Sequence, residues 1–247
     1  MKITDILIAQ QAPLPASSPY PAVEEKYGVK IDFKPFYIMA PVASKEFRAQ
    51  RINISEYTAI VFSAKGAIDS FFEMCKELRV TIPDTMKYFC STESVAKYLQ
   101  KHIVYRKRKI FFGNGTAESI VSEVGARHKG EKFLVATSGG TVNDITRAFA
   151  AAGLDFTPAM LLKPVSQDIK DVDLSRYQAV VVHNPADVKS LLENFPDFRQ
   201  GDLRFITFGK TVVKAMEEAG LTIAVSAPSP EVPSIAKAIE VFIESCR

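Results

Sequence analysis

Cysteine, histidine and long apolar runs are all scarce in this chain, and each scarcity removes a class of function. Three cysteines in 247 residues, Cys75, Cys90 and Cys246, share no short spacing, which argues against a disulfide framework and against a zinc knuckle. The three histidines, His102, His128 and His183, follow no regular interval, so no metal site is expected and each is read as structural or exposed. His183 is the one at a strand end. No apolar run approaches the ~20 residues of a membrane span; the longest, such as 6–9 and 179–182, are strand-sized. Lys2 and Asp5 precede no hydrophobic leader segment, so no signal peptide or membrane attachment is expected and the expected location is cytoplasmic. Charge of one sign is also lacking: 31 Lys and Arg face 28 Asp and Glu, a net +3, too little to indicate nucleic acid. The basic run 105–109 is read as a solvated approach to a strand.

Several catalytic signatures are missing too. The chain has no phosphate loop ending in Gly-Lys-Ser or Gly-Lys-Thr, no dinucleotide glycine fingerprint, no nucleophile elbow around a serine and no paired-histidine zinc helix. Phe112-Gly-Asn-Gly-Thr116 is glycine-rich after a strand but lacks the lysine, and is read as a turn with a helix cap.

What is present is an alternation. With 47% hydrophobic and 24% charged residues, the composition is that of an ordinary globular protein, long enough for two cores. Short β-branched or aromatic runs at 5–9, 58–62, 87–89, 110–112, 133–136, 179–182, 204–207 and 222–225 alternate with helix-length stretches at 65–78, 94–101, 117–124, 142–152, 185–193, 211–219 and 232–245. That spacing predicts parallel βαβ units.

An internal repeat organises them. Residues 57–73 align without a gap on 177–193, so that Tyr57 falls on Tyr177 at an offset of 120. Residues 91–98 align on 208–215 at an offset of 117. Glu118-Ser-Ile120 matches Pro233-Ser-Ile235, but Phe133–Thr137 finds its match upstream, at Ile6–Gln10. The second copy is therefore completed by the N-terminus, as in a duplicated domain and not a solenoid. The expected fold is α/β: two similar flavodoxin-like parallel-sheet domains, one discontinuous (1–34 with 166–247), the other 35–165. Two extended crossover linkers, near 33–41 and 160–166, carry Pro35, Pro41 and Pro164, as semi-rigid connectors do.

Polar residues gather where strands give way to helices: Gln10, then Ser63-Ala64-Lys65, then Thr92 and Ser94, Thr137-Ser138, His183-Asn184, and Gly209-Lys210-Thr211. In doubly wound sheets ligands bind outside these strand ends, where helix N-termini offer N–H donors and a positive dipole to carboxylates or phosphates. Each residue taken singly is also a plain helix cap, and duplication copies caps as well as sites.

The segments 57–72, Phe205 to Gly220 followed by Leu221, and 228–239, in that order and with the split domain, resemble the uroporphyrinogen-III synthase family over nearly the whole chain. The resemblance implies a cofactor-free lyase that closes hydroxymethylbilane, a linear tetrapyrrole with many carboxylates, into uroporphyrinogen III with loss of water and inversion of ring D. It implies a small-molecule substrate, no nucleic-acid or membrane partner, and a monomer. By matched position Thr211 and Ser94 take the catalytic hydroxyl roles, and Ser63, Ala64, Lys65, Thr92, Thr137, Ser138, Leu162, His183, Asn184, Gly209, Lys210 and Gln10 take the substrate-binding ones. Three positions depart from the family pattern: Leu162 stands where many members have a tyrosine, Gln10-Gln11 where the first strand ends in Thr-Arg, and His183-Asn184 where a Ser or Thr pair is usual. The first two departures fit an alternative reading, a weak or inactive relative that binds a tetrapyrrole or other polyanion as a regulatory module. A third, a periplasmic-type binding domain, shares the two-lobed plan.

Overall fold

The computed structural model describes residues 2–247. In chain order its strands are β1 (Asp5–Ile8), β2 (Lys30–Phe33), β3 (Tyr37–Pro41), β4 (Ala59–Phe62), β5 (Lys87–Cys90), β6 (Ile110–Phe112), β7 (Phe133–Ser138), β8 (Phe156–Ser166), β9 (Ala179–Val182), β10 (Arg204–Phe208) and β11 (Ile223–Ala227). Its helices are α1 (Tyr20–Tyr27), α2 (Ser44–Ala49), α3 (Lys65–Glu77), α4 (Glu93–Tyr98), α5 (Ala117–Val124), α6 (Asp144–Ala151), α7 (Pro185–Asn194), α8 (Lys210–Glu218) and α9 (Ile235–Ser245).

The strands are short runs rich in Val, Ile and Phe, and the central ones are apolar at consecutive positions. All four residues of β4 and all four of β9 are buried, as a parallel sheet covered on both faces requires. Helix starts are set by side-chain caps. Thr92, Thr116 and Ser234 accept the amide three residues on, and Asn143 and Thr146 cap each other across the first turn of α6. Such caps satisfy backbone donors that the helix itself leaves open.

The chain divides into two compact units, residues up to 38 with 165–247, and residues 39–164. The discontinuous unit holds a sheet in the order β11-β10-β9-β1-β2; the continuous one follows β6-β5-β4-β7-β8, with β3 added beyond β8. The two orders correspond position by position, β4 with β9, β5 with β10 and β7 with β1, although the chain enters each sheet at a different strand. Counted along the chain, the discontinuous sheet runs 2-1-3-4-5, the flavodoxin-like order. The strand Asp5–Ile8 joins β2 and β9 in parallel, with Ile6 opposite Ala179 and Ile31. The structure also extends the repeat upstream. Asn53 and Asp173 cap matching 3-10 turns, each accepting the amide of a serine two residues on, Ser55 and Ser175.

Helices cover both faces of each sheet. In the discontinuous unit α1 and α9 pack on one face through Val23, Ile239 and Phe242, while α7 and α8 pack on the other through Leu191, Val212 and Met216. In the continuous unit α3 and α4 cover one face through Ile68, Phe71 and Ala96, and α5 and α6 the other through Ile120 and Phe149.

The linkers are extended, and they are also paired with each other. Gln167 donates its amide to the Phe36 carbonyl at 2.8 Å and Val42 donates to Leu161 at 2.9 Å. Residue numbers rise along β3 while they fall along β8, so the two run antiparallel. Gln50 holds the ribbon from the side, donating to the Met160 carbonyl and accepting its amide, both at 2.9 Å. Among the described residues no helix is long and apolar enough to cross a membrane.

Candidate functional site

Each sheet has one place where neighbouring strands send their crossovers to opposite faces. In the continuous unit it lies between β4 and β7, in the discontinuous unit between β9 and β1. Ligands of open α/β sheets bind in the crevice outside such switch points. The sequence-selected residues fall around these two places, with differing roles.

In the continuous unit, Ser63 follows β4 and is exposed, and its carbonyl accepts the Ser91 hydroxyl at 3.2 Å. Ala64 is the residue before α3 and caps nothing with its side chain. Lys65 opens that helix, exposed, its ammonium 5.6 Å from the centre of the Tyr98 ring. Thr92 is the cap of α4, accepting the Val95 amide at 3.3 Å. Ser94, the second residue of α4, is exposed, so its hydroxyl faces outward while Thr92 does the capping. At the end of β7, Thr137 is buried and its hydroxyl has no partner, whereas Ser138 is exposed.

A cavity of about 560 Å³ opens here, lined by Ser63, Ser91, Gly115, Thr116, Asn143 and Asp144 among others. It lies at the N-termini of α5 and α6, which present amide donors and the positive dipole end. Glu118 and Asp144 also line it, which counts against a bare anion, although Arg147 neutralises Asp144 at 2.7 Å. Thr116 and Asn143 are absent from the sequence-selected set. Their signal was legible as capping residues before apolar helices, and only the sheet order brings both caps to one cavity. A larger cavity of about 810 Å³ sits at the amino ends of β9 and β10, lined by Leu174, Phe195, Phe198 and Arg199. It holds none of the selected residues.

Leu162 is placed differently from its expected substrate-binding position. Its side chain is 6% exposed and belongs to the core with Phe62, Ile68 and Ala136. The backbone is what it offers its surroundings, its carbonyl accepting the Gly139 amide at 2.8 Å. The alternation of a strand decides this, since one residue's shift in register turns a side chain from one face to the other.

In the discontinuous unit, Gln10 follows β1, half-buried, beside Tyr20, whose phenol burial raises against the opposing pull of the Gln10 side chain. Gly209 precedes α8 with φ at 105°, a conformation suited to glycine, and donates its amide to the Ala227 carbonyl at 2.7 Å. Lys210 and Thr211 open α8 and are both exposed. Thr211 thus repeats the position of Ser94, an outward hydroxyl at the second residue of its helix.

His183 and Asn184 follow β9. Asn184 caps α7, accepting the Ala186 amide at 2.9 Å. Asp187, missed in the sequence, lies in the first turn, and one carboxyl oxygen accepts the amides of His183 and Asn184 at 2.9 and 3.0 Å. Burial pushes its carboxyl up to about 6, against the pull of those two amides. Burial also holds the His183 imidazole below its ordinary value. Tyr37, at the start of β3, has its phenol raised by burial and then by Asp187. An Asn-Pro-x-Asp string reads as a capping motif, and nothing in it announces that the acid is fully buried.

The other two histidines belong to the interior of the continuous unit. His102 meets Asp69 at 2.7 Å and stacks on Phe72 at 4.5 Å between centroids. His128 packs against Phe89 and Phe111.

Each unit by itself presents exposed hydroxyls, helix-start amides and one of the two lysines at its strand ends. Groups of this kind can bind and orient a polar, carboxylate-bearing molecule. A known protein shares the fold. The chain is similar to uroporphyrinogen-III synthetase from Helicobacter pylori 26695, with a TM-score of 0.55 and 15% identity over 99% of this chain and 100% of that one. A mutant uroporphyrinogen III synthase from the extremely thermophilic bacterium Thermus thermophilus aligns over 98% of this chain and 99% of its own, at 16% identity and a TM-score of 0.49. None of the curated proteins matches the sequence. The family described as Uroporphyrinogen-III synthase HemD matches residues 20–237, and with that span and this fold the chain belongs to the uroporphyrinogen-III synthase family.

Proposed function

We propose that the protein is a working uroporphyrinogen-III synthase, which cyclises hydroxymethylbilane to uroporphyrinogen III with loss of water. The observation that carries this reading is the repeated outward hydroxyl at a helix start, Ser94 in one unit and Thr211 in the other. Neither is used as a cap, because Thr92 and Gly209 occupy the cap positions. Membership of the family supplies the substrate.

The chemistry makes modest demands. Departure of the hydroxyl leaves an electrophilic azafulvene, the terminal ring attacks through its substituted carbon, and the resulting spiro compound reopens and recloses with ring D inverted. A protein that directs this outcome has to hold a flexible chain in one conformation and keep direct closure from winning. Helix-start amides, hydroxyls and the exposed Lys65 and Lys210 are suited to gripping carboxylates, and positioning of this kind accounts for large rate effects without a strong acid or base. We assign the substrate-holding roles to Ser63, Ser94, Ser138, Lys210 and Thr211, and place the reaction in a soluble, cytoplasmic setting.

The test is a coupled assay in which hydroxymethylbilane synthase generates the substrate and products are oxidised and separated as porphyrin isomers. Adding this protein is expected to shift the product from isomer I, which forms spontaneously, to isomer III. An isomer ratio unchanged at micromolar protein would favour a polyanion-binding module in place of an enzyme.

A further inference from the structure

Among the described residues, six buried polar side-chain atoms have no hydrogen-bond partner, and four of them gather at the carboxyl ends of β9 and β10. They are both ring nitrogens of His183, Oδ1 of Asp187 and Oγ1 of Thr207. Buried polar atoms are nearly always paired, because an unpaired one forfeits its hydration without return. Asp187 and Thr207 are each 0% exposed. The sheet register sets Thr207 opposite Val182, one residue before His183. His183, just past the carboxyl end of β9, also borders the switch point of the discontinuous unit, which lies between β9 and β1. By the 120-residue repeat, His183 stands where the other unit has Ser63, which lines the cavity at the N-termini of α5 and α6, so an imidazole replaces a cavity-lining hydroxyl.

The backbone that carries the ring is also held in place. Asp187 accepts the amides of His183 and Asn184, which fixes the backbone from which the imidazole projects. Of the titratable groups around it, Asp187 comes from α7, and Tyr37, which feels Asp187, comes from β3. The chain continues from β1 into uncharged Ala9 and Gln10, and from β10 through Gly209 before it reaches Lys210.

We propose that His183 is a catalytic residue that donates a proton to the departing hydroxyl and recovers one when the macrocycle closes, an inference that rests on the synthase reading. As the C–O bond of the hydroxymethyl group breaks, pyrrole electrons form the azafulvenium cation, and the oxygen takes the imidazolium proton and leaves as water. After closure, the ring carbon that formed the new bond still carries its hydrogen. That proton passes to the neutral imidazole while the C–H electrons restore the pyrrole, so one proton cycles and the net loss is one water. In the free protein burial keeps the imidazole neutral at ordinary pH. A polycarboxylate in the crevice favours the cation, so protonation accompanies binding and arms the acid only when substrate is present.

Two measurements test this. With three histidines in the chain, the ring resonances of isotope-labelled protein can be assigned by elimination. The His183 signal is expected to titrate below the free-histidine value alone, and at least about one pH unit higher with uroporphyrin, the oxidised product, bound. In the isomer assay His183→Gln, which keeps polar contact but cannot carry the proton, is expected to lower kcat by roughly 100-fold or more, the usual range for a placed acid, with KM changed by less than about threefold. A kcat within threefold of wild type, or a His183 titration unmoved by uroporphyrin, overturns the proposal while leaving the synthase reading intact. The titration is read on protein that keeps His183, with the signal assigned through replacement of His102 and His128, so it stands even if His183→Gln fails to fold. Wild type that yields no isomer III overturns both.

Discussion

At the scale of single residues, the distinction that matters is between hydroxyls that cap helices and hydroxyls that face outward. Thr92 accepts the Val95 amide, so Thr92→Ala is expected to cost about 1 kcal/mol of stability, the ordinary value of a cap. Ser94 and Thr211 are exposed second residues of their helices. Their alanine variants should melt within a few degrees of wild type while isomer III formation falls several-fold, as expected from one lost hydrogen bond of about 0.5–1.5 kcal/mol to a ligand. Early melting with full activity would reverse the assignment. Asp187 makes a second residue-scale prediction. Its carboxyl sits at about 6 in the fold against an ordinary 3.8, so the folded state holds the proton more tightly than the unfolded chain does. The stability this group contributes is fully present below the unfolded value and is lost as pH rises from about 3.8 through about 6. In Asp187→Asn the fall in unfolding free energy between pH 4 and pH 7, measured by denaturant titration, should shrink by roughly 2 kcal/mol. An unchanged fall would mean that water reaches the carboxyl.

Elements decide what a residue's neighbours are, and β8 is the clearest case. Its stretch Phe156–Ser166 contains Pro158 and Pro164, and from the sequence alone only its far end reads as a linker. In the fold it is an 11-residue strand hydrogen-bonded to β7 on one side and to β3 on the other. That pairing points Leu162 into the core, 3.5 Å from where a Cβ on Gly66 would lie. Restoring the tyrosine that many family members have, as Leu162→Tyr, is therefore expected to overpack the core. The larger ring should cost about 1–3 kcal/mol, seen as a lower melting temperature with no gain in isomer III.

For the whole molecule, the order in which the chain visits the two sheets governs what can fold alone. The continuous unit takes all of its strands from one stretch of sequence, whereas β9, β10 and β11 depend on β1 and β2 from the other end of the chain. A fragment spanning 37–166 should show a cooperative thermal transition. A fragment of 165–247 should not, because without β1 the Ala179–Val182 strand becomes an uncovered edge and Ile6 and Ile8 leave the core. Cooperative unfolding of that second fragment, followed by circular dichroism, would show that the discontinuous unit does not need its N-terminal strands.

Hydrophobic alternation and the internal repeat were enough to predict the α/β class, the doubling and the need for the N-terminus to complete the second copy. These are local or self-similar features that need no knowledge of distance. The short charged strand Lys30–Phe33 and the helix Tyr20–Tyr27, with Pro21 in its first turn, were not legible. Their propensities are weak, and packing against β1 and α9 stabilises them. The strand-to-helix junctions that carry Ser63, Ser94 and Thr211 were legible, because the change from an apolar run to small polar residues declares itself in sequence. The burial of Leu162, the pairing of the two linkers, and the burial of the polar atoms of His183, Asp187 and Thr207 were decided only by the tertiary structure. Sheet register determines which residues of separate strands stand side by side, and burial changes what a carboxyl or an imidazole does with its proton.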